Sequence, residues 1–213
     1  MDTIILIGVI VISYLLGSVS FSYLFGKLLK GIDIRQHGSG NAGATNTLRV
    51  LGVGPGITVL LLDVVKGIVA VLLIRMFTDN QWLHVLAGVA AIVGHNWPIY
   101  FGFKGGKGIA TTIGVTATLI SLPALYAGII GLLLIATTRY VSLGSLVFTL
   151  LMPIFLLIPA TQGERHGVAL VLFAILICIF AWFRHRTNIV KLLKGQENKI
   201  FSKKNAASKG EQS

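Results

Sequence analysis

Residues 3–25 read TIILIGVIVISYLLGSVSFSYLF, without a single charge. A hydrocarbon core of ~30 Å asks for about 20 such residues in a helix, so this stretch predicts a first membrane span. No basic segment precedes it and no convincing small-residue cleavage site follows Tyr14, so we read it as retained. The pattern recurs at 56–77, 82–101, 109–122, 124–138, 141–160 and 167–183. Trp82 and Trp97 stand where amphipathic rings settle at an interface. Pro123 separates two short segments, which are either two tilted spans or one re-entrant hairpin. The expected class is an all-α integral membrane protein with about seven transmembrane helices; five is the alternative count.

Composition agrees. The chain has 213 residues, 54% apolar and 12% charged, with a mean hydropathy of +0.85. A soluble domain carries about 25% charged residues, so a water-soluble enzyme is excluded for want of a polar coat. The single cysteine, Cys178, excludes an intramolecular disulfide and a cysteine-cluster metal site, and is expected to face lipid or pack in the last apolar segment. Twenty-five glycines point to closely packed helices or tight polar loops. No internal repeat stands out, against the duplicated plan of many transporters.

Eighteen Lys and Arg against seven Asp and Glu leave a net charge of +11. With seven spans, Lys27, Lys30, Arg35, Arg49, Lys104, Lys107, Arg139 and every basic residue from Arg184 onward fall on one side. By the positive-inside rule that side is the cytosol, with the N-terminus outside and the C-terminus cytosolic. Residues 1–199 read as one polytopic membrane domain. Residues 200–213, ending KKNAASKGEQS, read as a basic disordered cytosolic tail; a merely solubilising end is the competing reading.

The chemically versatile residues fall in three segments on that cytosolic side. The first, HGSGNAGATNTLR (His37 to Arg49), offers Ser39, Asn41, Asn46 and Arg49 among glycines. Glycine lets backbone amides approach an anion, and an arginine binds phosphate bidentately; a flexible connector is the bland alternative. Its GxGxxG spacing lacks the preceding strand of a dinucleotide fold. The second contains Lys104, Gly105, Gly106, Lys107 and Gly108 just before a helix expected from Ile109. Amides of a glycine-rich turn, the positive end of a helix and two lysines favour phosphate, although Walker A fails because Phe101 and Gly108 stand at two of its fixed positions. The alternative is a pair of topology-setting lysines. The third, RHRTNIVKLLKGQE (Arg184 to Glu197), spaces His185, Asn188 and Lys191 three apart, on one face if the last helix continues. His185 could relay a proton or donate a hydrogen bond, and Glu197 could orient a base or hold a lysine; a basic helix end is the plain reading. Asp63 and Lys66, three apart inside the second span, either neutralise each other or support these loops from beneath. His84, His95 and His166 read as structural or interfacial, with no carboxylate cluster to complete a metal site.

In order and on one expected face, GSGNAGATNTLR, GHNWPIYFGFKGGKGIAT and RH followed by NIVKLLKGQE resemble the three motifs of the bacterial membrane acylphosphate:glycerol-3-phosphate acyltransferases. The similarity runs from the first span to about Glu197. It implies a seven-span fold with active-site loops on the cytosolic face of the bacterial plasma membrane. The implied reaction moves a fatty acyl group from acyl phosphate to the 1-hydroxyl of glycerol 3-phosphate, giving lysophosphatidic acid for phospholipid synthesis. Ser39 and Arg49 match the functional residues of the first motif, Lys104 to Gly108 the phosphate loop, and His185, Asn188 and Glu197 the third motif. Lys191 stands where the family has arginine, so a forked contact there is lost.

The resemblance implies catalytic roles for Ser39, Arg49, His185 and Asn188. Phosphate binding falls to Arg49, Lys104, Gly105, Gly106, Lys107 and Gly108, with Glu197 in support; Asn41, Asn46, Asp63 and Lys66 are read as supporting residues from their own chemistry and position. Acyl phosphate is already an activated mixed anhydride, so neither cofactor, nucleotide, CoA nor metal is expected. The implied partners are the two substrates, the lipid bilayer and the enzyme that supplies acyl phosphate, not nucleic acid. No histidine is followed five positions on by the aspartate of the CoA-dependent acyltransferase motif. A transporter of small phosphorylated anions and a lipid-recruiting scaffold are the rival classes.

Overall fold

Ser20 interrupts the first apolar run after α1 (Thr3–Ser18), its hydroxyl capping the N-terminus of α2 (Phe21–Lys30). That cap is one of many polar breaks that cut the chain of this computed structural model, which describes residues 3–158 and 167–201, into helices. They continue as α3 (Ala44–Leu51), α4 (Val53–Arg75), α5 (Gln81–Asn96), α6 (Ile109–Leu119) and α7 (Ser121–Thr138). The last three are α8 (Val141–Leu156), α9 (Val168–Arg184) and α10 (Arg186–Leu193). Among the described residues there is no strand, so the all-helical expectation holds. The basic tail beyond Phe201, and His166 with its connection, lie outside the described residues.

Helix contacts are made where glycine removes a side chain. A Cβ on Gly17 would strike the Ala91 carbonyl, and one on Gly94 the Tyr14 carbonyl, which joins α1 to α5. Gly67 and Gly114 do the same between α4 and α6, and Gly131 and Gly144 face each other across α7 and α8. Small residues are the usual route to close backbone approach where lipid supplies no hydrophobic drive. The core lies among α4 to α9, centred on Val71, Ile92, Val115, Phe148, Phe173 and Ile177. The outward faces carry Leu61, Leu72, Leu133 and Ile179 exposed, a surface for lipid rather than water. This is an integral membrane protein by its apolar helices.

Three described stretches are long and apolar enough to cross a bilayer: Thr3–Lys30, Val53–Arg75 and Ser121–Thr138. A fourth is reached if α9 and α10, bent by 64°, count together. α6, with 11 residues, rises about 16 Å, roughly half the hydrocarbon core. The expected break at Pro123 falls instead at Ile120. Pro123 sits in the first turn of α7, where a missing N–H breaks no helical bond. The third segment also departs from the straight helix considered for it. The chain turns at His185, which drives that imidazole inward while Lys191 stays exposed.

Candidate active site

The first polar segment is built around one amide side chain. Asn46, 1% exposed, accepts the Ser39 N–H at 2.8 Å and donates to the carbonyls of Ile34 and His37 at 3.1 and 3.0 Å. Gly38 and Gly40 take positive φ, and a Cβ on Gly38 would strike the Asn46 carbonyl oxygen, so the turn needs glycine there. Asn46 thus braces the loop and uses up the Ser39 amide, while the Ser39 side chain stays exposed at the rim. A buried 2.7 Å hydrogen bond between Ser22 and Thr47 seats α3 on α2. Arg35 pairs with Asp33 at 2.8 Å and donates to the Phe101 carbonyl at 2.8 Å, stapling this segment to the next.

In the second segment the glycines are held from behind. Arg184 donates from Nε to the Gly106 carbonyl at 3.1 Å and from Nη2 to that of Gly105 at 3.2 Å, with its guanidinium 5.3 Å over the Trp97 ring. The Gly106 N–H goes to the His95 carbonyl at 3.1 Å. A Cβ on Gly106 would strike His95 Nε2. The loop then turns at Gly108, φ +80°, into α6. The first-turn amides of a helix have no acceptor within it and form its positive end.

These segments meet the third around a cavity of about 330 Å3. Ser39, Asn41, Asn46, Arg49, Asp63, Lys107, Gly108, His185, Asn188 and Glu197 are all on its wall. Lys107 Nζ donates to Asn188 Oδ1; Asn188 Nδ2 donates to Glu197 Oε1 at 2.8 Å, and Ser142 donates to the same oxygen at 3.1 Å. Arg49 reaches the Asn198 carbonyl at 3.1 Å, while its buried Nε has no hydrogen-bond partner. Asp63 on this wall is matched by Lys66 behind it, which leaves Arg49 and Lys107 against Glu197; with a spare guanidinium N–H, that balance makes the wall anion-seeking.

Burial pushes the Lys107 amine down to about 8; Glu197 opposes that shift, and Arg49, Arg184 and Lys191 add to it. Burial likewise pushes the His185 imidazole down to about 4, helped by the Lys107 charge. His185 Nδ1 lies 2.8 Å from the Ala181 carbonyl. A carbonyl only accepts, so we assign the proton to Nδ1. At neutral pH Nε2 is therefore an acceptor.

Beneath the cavity, Lys66 pairs with Asp63 at 2.7 Å and donates to the Val19 carbonyl at 2.8 Å, with His95 Nδ1 3.0 Å away. The pair neutralises itself and also reaches the loops, because His95 carries the Gly106 amide. Four of the expected residues stand apart from the cavity wall, Lys66 beneath it among them. Lys104 is exposed outside it, and Gly105 and Gly106 form the clamped back of the loop. Sequence reasoning missed Ser142, which nothing in its apolar helix marks, and Arg184 as a clamp, for which its place beside His185 was the available signal. Among the described residues, no three His, Cys, Asp or Glu side chains gather as metal ligands would.

Beside the cavity, an apolar groove of about 470 Å3 runs between α6, α7 and α8. It shares Ile109, Ile113, Leu132, Ile135 and Ser145 with the polar wall, so the two spaces are continuous.

Comparison with known proteins yields a consistent set of likenesses. A family model described as glycerol-3-phosphate acyltransferase matches residues 7–195. The chain is 56% identical over 194 residues to a glycerol-3-phosphate acyltransferase of Halalkalibacterium halodurans, covering 90% of this chain and 94% of that one. A protein of the same name from Shouchella clausii is 56% identical over 200 residues, covering 93% and 97% of the two chains. A crystal structure of PlsY (YgiH), an integral membrane glycerol 3-phosphate acyltransferase in its glycerol 3-phosphate form, superposes with a TM-score of 0.83 at 38% identity. That match covers 91% of this chain and 94% of the other. The lysophosphatidic acid form of PlsY gives 0.80 at the same identity and coverage.

Proposed function

The chain belongs to the glycerol-3-phosphate acyltransferase family, and we propose that its acyl donor is acyl phosphate, used without CoA, nucleotide or metal. The glycerol 1-hydroxyl oxygen bonds to the carbonyl carbon, the bond from that carbon to the phosphate oxygen breaks, and the phosphate leaves with the electron pair. The hydroxyl proton ends on the released phosphate, and the products are lysophosphatidic acid and inorganic phosphate. The observation that carries this reading is the junction of a cationic cavity with an apolar groove. One molecule with a phosphorylated head and a greasy tail fits both, and a second phosphate fits the remaining cations.

The geometry supports the following roles. Arg49, with its unpartnered Nε, and Lys107 grip phosphoryl oxygens, together with the amides that open α6 at Gly108. Ser39 at the rim and Asn188 on the wall orient the glycerol backbone, and Lys104 attracts the anions from outside. His185 Nε2 accepts a hydrogen bond from the attacking hydroxyl. Burial and the Lys107 charge hold its pKa low, near 4, while the second ionisation of a phosphate lies at ≈ 6, which favours a substrate phosphate as the acceptor of the proton. Glu197 holds Asn188 and through it Lys107; Asn41 and Asn46 shape the first loop; Asp63 and Lys66 support the second. Holding both substrates aligned and stabilising the departing charge supplies the rate, because the anhydride is already activated.

The same proposal sets seven spans in the bacterial plasma membrane, the N-terminus outside and the cavity on the cytosolic face. There the enzyme that makes acyl phosphate can deliver it. The test is purified protein in liposomes with acyl phosphate and labelled glycerol 3-phosphate, free of CoA. Lysophosphatidic acid with one phosphate released per molecule is expected; none without a thioester donor contradicts the donor assignment.

A further inference from the structure

Gly128 lies inside α7 and on the wall of the apolar groove. A glycine within a helix weakens it relative to alanine, so a reason for it is to be sought. The other interior glycines of α4 to α8 have one on the page. At Gly56, Gly67, Gly88, Gly94, Gly114, Gly131 and Gly144 a Cβ would press on a neighbouring helix or loop. At Gly128 it would meet nothing within 4 Å. Gly8 in α1 and Gly54 in the first turn of α4 are equally open, but neither is part of this groove. No packing contact within the protein demands a bare Cα at 128; the space it leaves belongs to the groove.

Position along the groove gives that space a meaning. The polar cavity joins the groove at Ile109 and Ile113 of α6 and at Leu132 and Ile135 of α7. From Leu132 back to Gly128 is four residues, about 6 Å along the helix axis, and the groove's lining continues a further seven residues, about 10 Å, to Ser121. Gly128 therefore sits one helical turn past the junction, with Ala124 and Leu132 on either side of it along its own helix and Thr116 and Ala117 of α6 among the wall residues. A short chain entering from the polar mouth stops before this point. A long one must pass over it.

The geometry points to Gly128 as the residue that sets how long an acyl chain the groove accepts, its missing side chain keeping the far part of the groove open. This rests on the acyl-transfer reading of the groove. The Cβ of a leucine there meets no protein atom within 4 Å, and its remaining carbons take up groove space, which closes the far part to the chain.

The experiment compares kcat/KM for decanoyl and palmitoyl donors in the wild-type protein, Gly128→Leu, Gly128→Ala and Ile130→Leu, an exposed position of the same helix outside the groove. Each is run with acyl phosphate and with the matching acyl thioester, so that the donor's identity does not decide the outcome. The palmitoyl-to-decanoyl ratio is expected to fall at least tenfold in Gly128→Leu, about threefold in Gly128→Ala, and not at all in Ile130→Leu. Should Gly128→Leu fail to fold, the alanine variant carries the test. An unchanged ratio in the glycine variants, or an equal shift in Ile130→Leu, overturns the gauge while leaving acyl transfer standing. A wild-type protein inactive with every donor overturns the acyl-transfer reading and the gauge with it.

Discussion

The polar cavity and the apolar groove share a wall but are made in opposite ways. In the cavity the side chains are tied down: Asn46 spends three hydrogen bonds on one loop, Arg184 clamps another, and Glu197 gathers Asn188 and Ser142. In the groove the decisive feature is an atom that is absent, the Cβ of residue 128. Directional bonds fix the position of a phosphate to a fraction of an ångström, whereas a chain of methylenes needs only room. The two halves should therefore fail differently when altered, the first in rate and the second in selectivity.

The largest effect is expected at Arg49. Arg49→Ala should lower kcat/KM by about 10²–10³, the range for removing one donor aimed at charge that develops in the reaction, with normal insertion and an unchanged preference among chain lengths. A shift in that preference would blur the division between the two spaces. Next comes the buried pair beneath. Asp63→Ala leaves Lys66 uncompensated and should destabilise the fold by roughly 3–5 kcal/mol, read as a lowered Tm. Lys66→Met combined with Asp63→Leu should recover much of it, because removing both charges removes the burial penalty. An activity loss persisting in that stable double variant would promote the pair from support to chemistry.

A smaller effect concerns pH. Free Lys107, at about 8, is charged below that pH and neutral above it. Phosphate capture is lost on the basic side, so kcat/KM should decline as pH rises through 8. Lys107→Arg, which stays charged, should move that limb upward by more than one pH unit; a limb that stays in place assigns it to another group. The smallest change is Ser142→Ala. It removes the hydrogen bond to Glu197 that Asn188 does not supply and should cost about 0.5–1.5 kcal/mol of stability and less than tenfold in rate.

Much of the cavity was legible in the sequence because polar residues are rare in so apolar a chain. Ser39, Arg49, Lys107, His185, Asn188 and Glu197 stood out and do share one cavity wall. The all-helical membrane fold was legible for the same reason, from runs such as residues 3–25. The finer geometry was not. Pro123 signals a break but sits just inside a helix, because the first turn tolerates a missing N–H. The turn at His185 has no glycine or proline to announce it. Gly105 and Gly106 read as phosphate donors, yet the Gly106 amide is spent on His95 and both carbonyls on Arg184, partners distant in sequence. Ser142 and the groove were invisible, since residues that face a substrate tail and residues that face lipid have the same composition.

Everything turns on the three polar segments meeting at one membrane face. The direct measurement is labelling of Ser39→Cys, Lys104→Cys and Lys191→Cys, one exposed position from each segment, in a Cys178→Ser background. A membrane-impermeant maleimide is applied to sealed vesicles of both orientations. All three are expected to react only from the cytosolic side, with Ser39→Cys protected by glycerol 3-phosphate. Labelling of any one of them from the opposite side would contradict a shared cavity.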